Sequence, residues 1–300
     1  MKINPTWSHR LVQLAAGQFR VCEVWELPRS TFYFTKARLT CPPPPSQRRG
    51  PKGFLSDAEL LGEIRQEIQN SPWTGEGHRK LWARLRFRNV RSSRHRVRRI
   101  MRENGLLSPA RSVFHKPKVH DGTIKTDMPN LMWGTDMTLT VTTGEGNACV
   151  FAVVDHCTWE CLGIHASKSG SRFEALEPIR QAVKDRYGVY GRNIAKGLAN
   201  RHDNGPQYGS KDFQKELEYL GIKASPSFVR EPEGNGMIER FFRLLKEQLL
   251  WVRHFETVEE LRLALLDFKE RYNTTWIMER HGYKTPRQAF EEHQAAAAAA

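Results

Sequence analysis

Trp133-Gly134-Thr135-Asp136-Met137-Thr138-Leu139-Thr140-Val141 is the stretch on which the fold turns. Its apolar residues recur at a period of two, which puts Trp133, Met137, Leu139 and Val141 on one face of a strand and Asp136 with Thr138 on the other. Asp136 therefore sits mid-strand on the polar face. Downstream, 149–155 is an unbroken apolar run of the kind a central strand makes, 162–164 suggests a third strand, and 173–187 predicts an amphipathic helix. A short strand over 198–201 leads into Asp203. Helices are expected at Lys211–Leu220, from Glu239 to about Val252 and over 258–272, with a brief strand at 222–224. Strands that come first and then alternate with helices make an α/β domain.

The chain before residue 130 has another character. Residues 1–130 hold 25 Lys and Arg against 10 Asp and Glu, whereas 131–300 hold 22 against 23, so the whole net charge of +14 comes from the first part. Such asymmetry points to a polyanion-binding part joined to one with another task. Between 79 and 102 stand eleven cations without an acid: Arg79, Lys80, Arg84, Arg86, Arg88, Arg91, Arg94, Arg96, Arg98, Arg99 and Arg102. Leu81, Trp82 and Leu85, then Val97, Ile100 and Met101, keep a helical period through them; Ser92-Ser93 break it and Gly105 ends it. A solvated face usually mixes signs, so two basic helices that contact nucleic acid phosphates are expected, with Arg84, Arg91, Arg94, Arg96, Arg98 and Arg99 as the contacting residues.

Further boundaries follow from composition. Residues 1–40 outline a helix-turn-helix, with a weak helix over 7–19, a short one near Val21, and another starting near Pro28. Residues 41–54, with Pro42-Pro43-Pro44-Pro45 and Arg48-Arg49, read as a stiff basic linker. Residues 55–107 form the basic helical domain, opened by Ser56 as a helix cap, and 108–129 read as a second linker. The α/β domain then occupies 130–294, followed by an alanine tail at 295–300.

With 39% hydrophobic residues the chain can bury real cores, and no apolar run approaches the roughly 20 residues of a spanning helix. Residues 1–19 lack the apolar block of a signal peptide, and five scattered cysteines fit reduced thiols, so a cytoplasmic, nucleoid-associated protein without membrane contact is expected. Cys157, Cys161, His156 and His165 lack the compact paired spacing of a zinc site.

The candidate site combines this strand with two other stretches. Glu233-Gly234-Asn235-Gly236-Met237-Ile238-Glu239-Arg240-Phe241-Phe242-Arg243-Leu244-Leu245-Lys246 reads as a loop followed by a helix with an apolar stripe of Ile238, Phe241, Phe242 and Leu245. Asn235, Glu239, Arg243 and Lys246 share the opposite, polar face; alone they fit an N-cap, a dipole-complementing acid and solvated partners. His202-Asp203-Asn204-Gly205 adds a carboxylate at a strand end, and His202 either ties the loop or helps to position phosphate. Asp136, Asp203 and Glu239 can converge at the sheet edge, where three hard oxygen donors suit Mg²⁺ or Mn²⁺. Two such ions about 3.5 to 4 Å apart would serve an in-line phosphoryl displacement.

Trp133-Gly134-Thr135-Asp136-Met137-Thr138, His202-Asp203-Asn204-Gly205-Pro206-Gln207-Tyr208 and Asn235-Gly236-Met237-Ile238-Glu239-Arg240-Phe241-Phe242, with 35 residues between Asp203 and Glu239, resemble the DDE core of bacterial insertion-sequence transposases. More narrowly the chain resembles the catalytic OrfB proteins of the IS-three family, which are similar to retroviral integrases. Lys246 matches the family's basic residue that contacts the element end, and Tyr272-Asn273 with Thr285-Pro286 matches its C-terminal signature. Trp276 and Met278 stand where the family usually has Arg and His, with Arg280 and His281 displaced. Residues 21–33 and 79–107 look like its paired helix-turn-helix segments.

The resemblance implies an RNase H-like core preceded by helix-turn-helix segments, with Asp136, Asp203 and Glu239 as catalytic residues and ligands of two Mg²⁺ or Mn²⁺ ions. It implies metal-dependent 3′-end cleavage of element DNA and transfer of that end to a target, with Lys246 at the DNA; Arg243 and Asn235, on the same polar face, are expected to contact DNA as well. Expected partners are duplex DNA at terminal inverted repeats and target, further copies of the chain, and an OrfA-type protein or frameshift fusion. Two other readings compete: a DNA-binding regulator of the same descent that no longer cuts, and an RNase H-type nuclease acting on RNA-DNA hybrids, which the duplex-binding helices disfavour.

Overall fold

A computed structural model describes residues 22, 26, 28–40, 55–109, 126–227 and 235–299. The chain divides into two compact units, Met1–Lys52 and Gly53–Ala300. In the first, helix α1 (Arg29–Thr40) is the second helix of the expected helix-turn-helix and leaves Tyr33, Phe34 and Leu39 exposed. The weak helix expected over 7–19 and the linker at 41–54 lie outside the described residues.

The second unit opens with three helices, α2 (Asp57–Asn70), α3 (His78–Phe87) and α4 (Arg94–Glu103). Ser56 caps α2 through a reciprocal capping box with Glu59, which satisfies two orphan donors at once. Ser93 caps α4 by accepting from the Arg96 N–H. Leu60, Ile64, Leu81, Leu85, Val97, Ile100 and Met101 close a small core between the three.

Five strands follow: β1 (Met132–Thr142), β2 (Gly146–Asp155), β3 (Cys161–Ser167), β4 (Ala199–His202) and β5 (Lys223–Pro226). Their order is β3-β2-β1-β4-β5, with β1, β2 and β3 antiparallel and β1, β4 and β5 parallel. This mixed sheet is the RNase H-like arrangement. Helices α5 (Arg172–Tyr187) and α6 (Lys211–Leu220) cover one face. The other is covered by α7 (Gly236–Leu245), which continues as a π-helical turn over Lys246–Leu250, and by α8 (Val258–Thr275). Strand β2 feeds both cores: Ala148, Val150, Ala152 and Val154 pack with α7 and α8, while Cys149, Phe151 and Val153 pack with α5 and α6. At Gly163 any side chain would collide with the carbonyl of Pro178, so glycine lets α5 lie directly on β3.

Three expectations are corrected here. The alternation of β1 places Leu139 and Val141 on its covered face, but each is 64% exposed, while Thr138 and Thr142 are buried. Of the apolar residues on this side of β1, Trp133 and Met137 join the core with α5 and α6, while Leu139 and Val141 lie outside it among the described residues. The alanine run is not a tail apart, because α9 (Pro286–Ala298) continues through it. The eleven cations are not without anions either. Arg96 and Arg99 both hold Asp57 at 2.8 and 2.6 Å, Arg84 holds buried Glu76 at 2.9 Å, and Arg88 holds Glu63 and Glu67. Arg94 lies 3.8 Å from Glu279. The acids come from neighbouring helices and turns, outside the window in which the charges were counted. Arg84, Arg96 and Arg99 thus serve the fold, while Arg91 and Arg98 are exposed and form no ion pair among the described residues.

The three-helix segment packs directly on the α/β core. Trp73, from the loop between α2 and α3, is 3% exposed within the core beneath α7 and α8, and its indole N–H donates to Thr275 at 3.0 Å.

Candidate active site

Strand register brings the first two carboxylates together. Met132, Trp133 and Gly134 pair with Ala199, Asn200 and Arg201, so carrying the parallel register two residues further sets Asp203 beside Asp136. Asp136 opposes Ala152, whose side chain lies in the core under α7, so it projects to the α7 face, as does Gly134 two residues earlier. Its Oδ1 accepts the Met137 N–H at 2.8 Å.

Asp203 leaves β4 in a tight loop. Its Oδ1 accepts the Gly205 N–H at 2.9 Å, and a Cβ on Gly205 would press on the ends of the Asp203 and Gln207 side chains. Asn204 anchors the loop by donating to the Ser227 carbonyl at 2.9 Å. His202 is 3% exposed, with Nδ1 2.6 Å from the Asp203 carbonyl and its ring stacked on Tyr208. It ties the loop and is not open to a phosphate.

Glu239 projects from the first turns of α7, exposed, as do Arg240 and Arg243, while Ile238, Phe241, Phe242 and Leu245 are buried as the period predicts. Arg243 pairs with Glu247 at 3.3 Å. Asn235 occupies the N-cap position, yet its side chain caps nothing; it is 5% exposed and its Oδ1 has no partner among the described residues. Neither a cap nor a surface contact to DNA describes it.

The electrostatics couple these groups. Burial raises the Asp136 carboxyl to about 6; the Met137 N–H opposes the rise, the negative charges of Asp203 and Glu239 add to it, and Lys246 pulls it back. Partial burial also raises Glu239. Lys246 therefore stands within electrostatic reach of Asp136, as does Tyr208, whose hydroxyl, buried near both aspartates, is held neutral far above its usual range. Among the described residues no three His, Cys, Asp or Glu side chains are drawn close enough to enclose an ion. The donor set still fits a hard divalent cation: oxygen ligands whose mutual repulsion and desolvation a cation would relieve.

The C-terminal signature is structural here. Asn273 accepts the Cys161 N–H at 2.9 Å and donates to the Cys161 carbonyl at 2.8 Å, pinning α8 to β3, and Tyr272 donates to the Trp159 carbonyl. Trp276 packs edge-on against Trp73 with ring centres 4.9 Å apart and lies under Lys80, and Met278 is buried. Sequence reasoning missed the whole of this joint. Its one available signal was Trp73 itself, a large apolar residue in an otherwise polar loop between helices.

Residues 126–232 match the family model described as an integrase core domain, residues 220–286 match a second model of that description, and residues 56–113 match an HTH-like domain. The chain is 24% identical over 288 residues to the transposase for insertion sequence element IS629 of Shigella sonnei, with 92% of each chain covered. It is 28% identical to the transposase for IS904 of Lactococcus lactis, over 68% of this chain and 75% of that one. It is 25% identical to transposase InsD of the IS2 elements of Escherichia coli, over 77% and 78%. Among solved structures it is similar to the HTLV-2 integrase catalytic core domain in complex with magnesium, at 22% identity and a TM-score of 0.42 over 55% of this chain and 99% of that one. The chain is thus similar over most of its length to insertion-sequence transposases, and an HTH-like domain match precedes its integrase core domain matches.

Proposed function

We propose that the protein is the OrfB-type transposase of an IS-three family element, a polynucleotidyl transferase that cleaves the 3′ ends of its element's DNA and joins them to a target. The observation that carries the reading is the convergence at Asp136. The register of β1 with β4, carried two residues past its last pair, supports Asp203 as its neighbour, and Glu239 of α7 and Lys246 of the π-helical turn act electrostatically on the same carboxyl. Asp136, Asp203 and Glu239 would hold Mg²⁺ or Mn²⁺, two ions per site. Such ions, when bound, supply Lewis-acid activation of an attacking oxygen and charge neutralisation at a leaving oxygen. The carboxylates act as ligands and not as nucleophiles, so no covalent protein-DNA link forms. Lys246, an ammonium with no lone pair to offer a metal, engages the phosphodiester beside them. Helix α4 and the turn that precedes it engage duplex DNA through exposed cations such as Arg98 and Arg91. Assembly with further copies, and with an OrfA-type partner, belongs to the same proposal.

The test is cleavage and strand joining assayed separately, on duplexes carrying the DNA that borders the gene. Asp136→Asn, Asp203→Asn and Glu239→Gln should each abolish both steps while DNA binding survives. Full activity in any one of the three, activity that persists in EDTA, or a covalent adduct would overturn the proposal.

A further inference from the structure

The helix that carries Glu239 does not end as it begins. Over Lys246–Leu250 it widens into the π-helical turn, and the Trp251 N–H donates to the Lys246 carbonyl at 2.9 Å, five residues back. Trp251 stands twelve residues beyond Glu239. In an uninterrupted α-helix, twelve steps of about 100° would set it roughly 120° around the axis from Glu239, off the face that Glu239 shares with Arg243 and Lys246. The π turn takes up one residue more, so Trp251 occupies the angular place of an eleventh step and comes within roughly 20° of Glu239. The extra residue turns a tryptophan onto the face of the candidate site.

That tryptophan is uncovered. It is 69% exposed, more than any other large hydrophobic residue described, and Val252 beside it is 66% exposed, whereas Leu249 and Leu250 just before it are buried. The backbone is held on both sides. Behind Trp251 stands the π-turn bond, and ahead of it the Phe255 and Glu256 carbonyls accept the N–H groups of Thr143 and Gly144 at 2.8 and 2.9 Å. The indole thus has a fixed mount, and a ligand pressed against it has little backbone to order. Its neighbours on this face are cations: Lys246, and Arg243, which stays half exposed although it pairs with Glu247. Cations beside an exposed aromatic surface suit a polyanion that also carries flat rings, which is the chemistry of a nucleic-acid strand.

We infer that Trp251 is a stacking platform for an unpaired DNA base, on the strand whose phosphate lies at the carboxylates. At 1.5 Å per residue Trp251 lies at most about 18 Å along the helix from Glu239, and a strand advances about 3.4 Å per nucleotide, so the stacked base is about five nucleotides from that phosphate. Val252 widens the apolar surface beside the ring. An internal base of a duplex has both faces covered by its neighbours, so the base that stacks here comes from strand that is single or opened. The site therefore takes DNA that is unpaired next to the reacting phosphate.

The inference rests on the DNA-acting reading, and the experiment separates the two. The full chain carrying Asp136→Asn, so that bound DNA is not cut, is titrated in Mg²⁺ with a blunt random-sequence duplex and with the same duplex extended by about six unpaired nucleotides on its 3′ or its 5′ side. One extended probe should bind about 5- to 150-fold more tightly than the blunt one. Adding Trp251→Ala should remove most of that preference and leave the blunt duplex bound as before. Trp251→Tyr keeps an aromatic face and should restore the preference, whereas Trp251→Leu keeps apolar bulk alone and should not. The side chain is exposed, so the unfolding midpoint should stay where it is. No preference in the parent, or a preference that survives Trp251→Ala or Trp251→Leu, overturns the platform and leaves DNA binding standing. An equal loss on the blunt duplex, or a dimer that Trp251→Ala turns into a monomer in sedimentation without DNA, gives the indole to paired DNA or to a second copy and overturns it too. A parent chain that binds none of the probes overturns the functional reading itself.

Discussion

Gln248 and Thr74 hold each other by reciprocal hydrogen bonds, the Thr74 N–H donating to Gln248 Oε1 at 3.0 Å and Gln248 Nε2 donating to the Thr74 carbonyl at 2.9 Å. Gln248 lies on the π-helical turn two residues after Lys246, and Thr74 lies in the loop between α2 and α3. The element carrying Glu239 and Lys246 is thus bolted to the helices that carry the exposed cations. Beside this clamp Trp73 is inserted against Phe268 and Trp276, and Arg84 donates to the Thr275 carbonyl at 3.1 Å.

Truncating Trp73 should therefore loosen the whole unit. Trp73→Ala removes a buried indole from the main core and should cost about 3 to 5 kcal/mol, read from the midpoint of urea unfolding. Gln248→Ala removes only exposed hydrogen bonds and should cost about 1 kcal/mol. If Trp73→Ala unfolds like the wild type, the segment is not anchored as described.

The two kinds of arginine on α4 should separate in experiment. Arg96→Ala breaks the ion pair with Asp57 and the hydrogen bond to the Leu55 carbonyl, so it should lower stability while leaving the salt dependence of DNA binding nearly unchanged. Arg98→Ala should do the reverse, weakening binding to all sequences alike and reducing the salt slope by about the share of one phosphate. Equal effects on DNA affinity would restore the expectation drawn from the bare charge run.

Asp155 should behave unlike Asp136, although both are aspartates of adjacent strands. It is fully buried and accepts from the Asn130 N–H at 2.8 Å, the Cys157 N–H at 3.0 Å, and the Thr158 N–H and hydroxyl at 2.8 and 3.0 Å. Asp155→Ala leaves several buried donors without an acceptor, each worth about 1 to 3 kcal/mol, so the variant should fail to accumulate as folded protein. A well-folded, inactive Asp155→Ala would instead make it a part of the site.

Most of the α/β core was legible because its signals are local. The period of two in β1, the apolar run of β2 and the stripe of Ile238, Phe241, Phe242 and Leu245 each report on one element, and Lys211–Leu220 is the helix α6 to the residue. What stayed hidden depends on neighbours distant in sequence. Leu139 and Val141 alternate correctly but lie outside the core with α5 and α6, and no local pattern records where a neighbouring element stops. The partners of Arg84 and Arg96 come from Glu76 and Asp57, and the tie between Trp73 and Thr275 spans 202 residues. Asn235 looks like a cap because cap preference is local, whereas the packing that buries its side chain is not.

The raised carboxyl of Asp136 gives the site a pH signature that needs no assay of catalysis. An acid with a folded-state pKa of about 6 against an ordinary value of 3.8 binds its proton more tightly in the folded chain. Its contribution is fully favourable below about pH 4, falls as the pH rises, and is lost above about pH 6, a difference on the order of 3 kcal/mol. Asp136→Asn keeps the shape and carries no charge, so it should be more stable than the wild type at pH 7 and no more stable at pH 4. Mg²⁺ or Mn²⁺ added at pH 7 should raise the wild-type unfolding temperature, because a ligand that binds only the folded state stabilises it by mass action. The same addition should leave Asp136→Asn nearly unmoved. A wild type whose stability is flat between pH 4 and 7, or an Asp136→Asn variant that gains as much from the metal as the wild type, would remove Asp136 from the ligand set and with it the reason to place the chemistry at the junction of β1, β4 and α7.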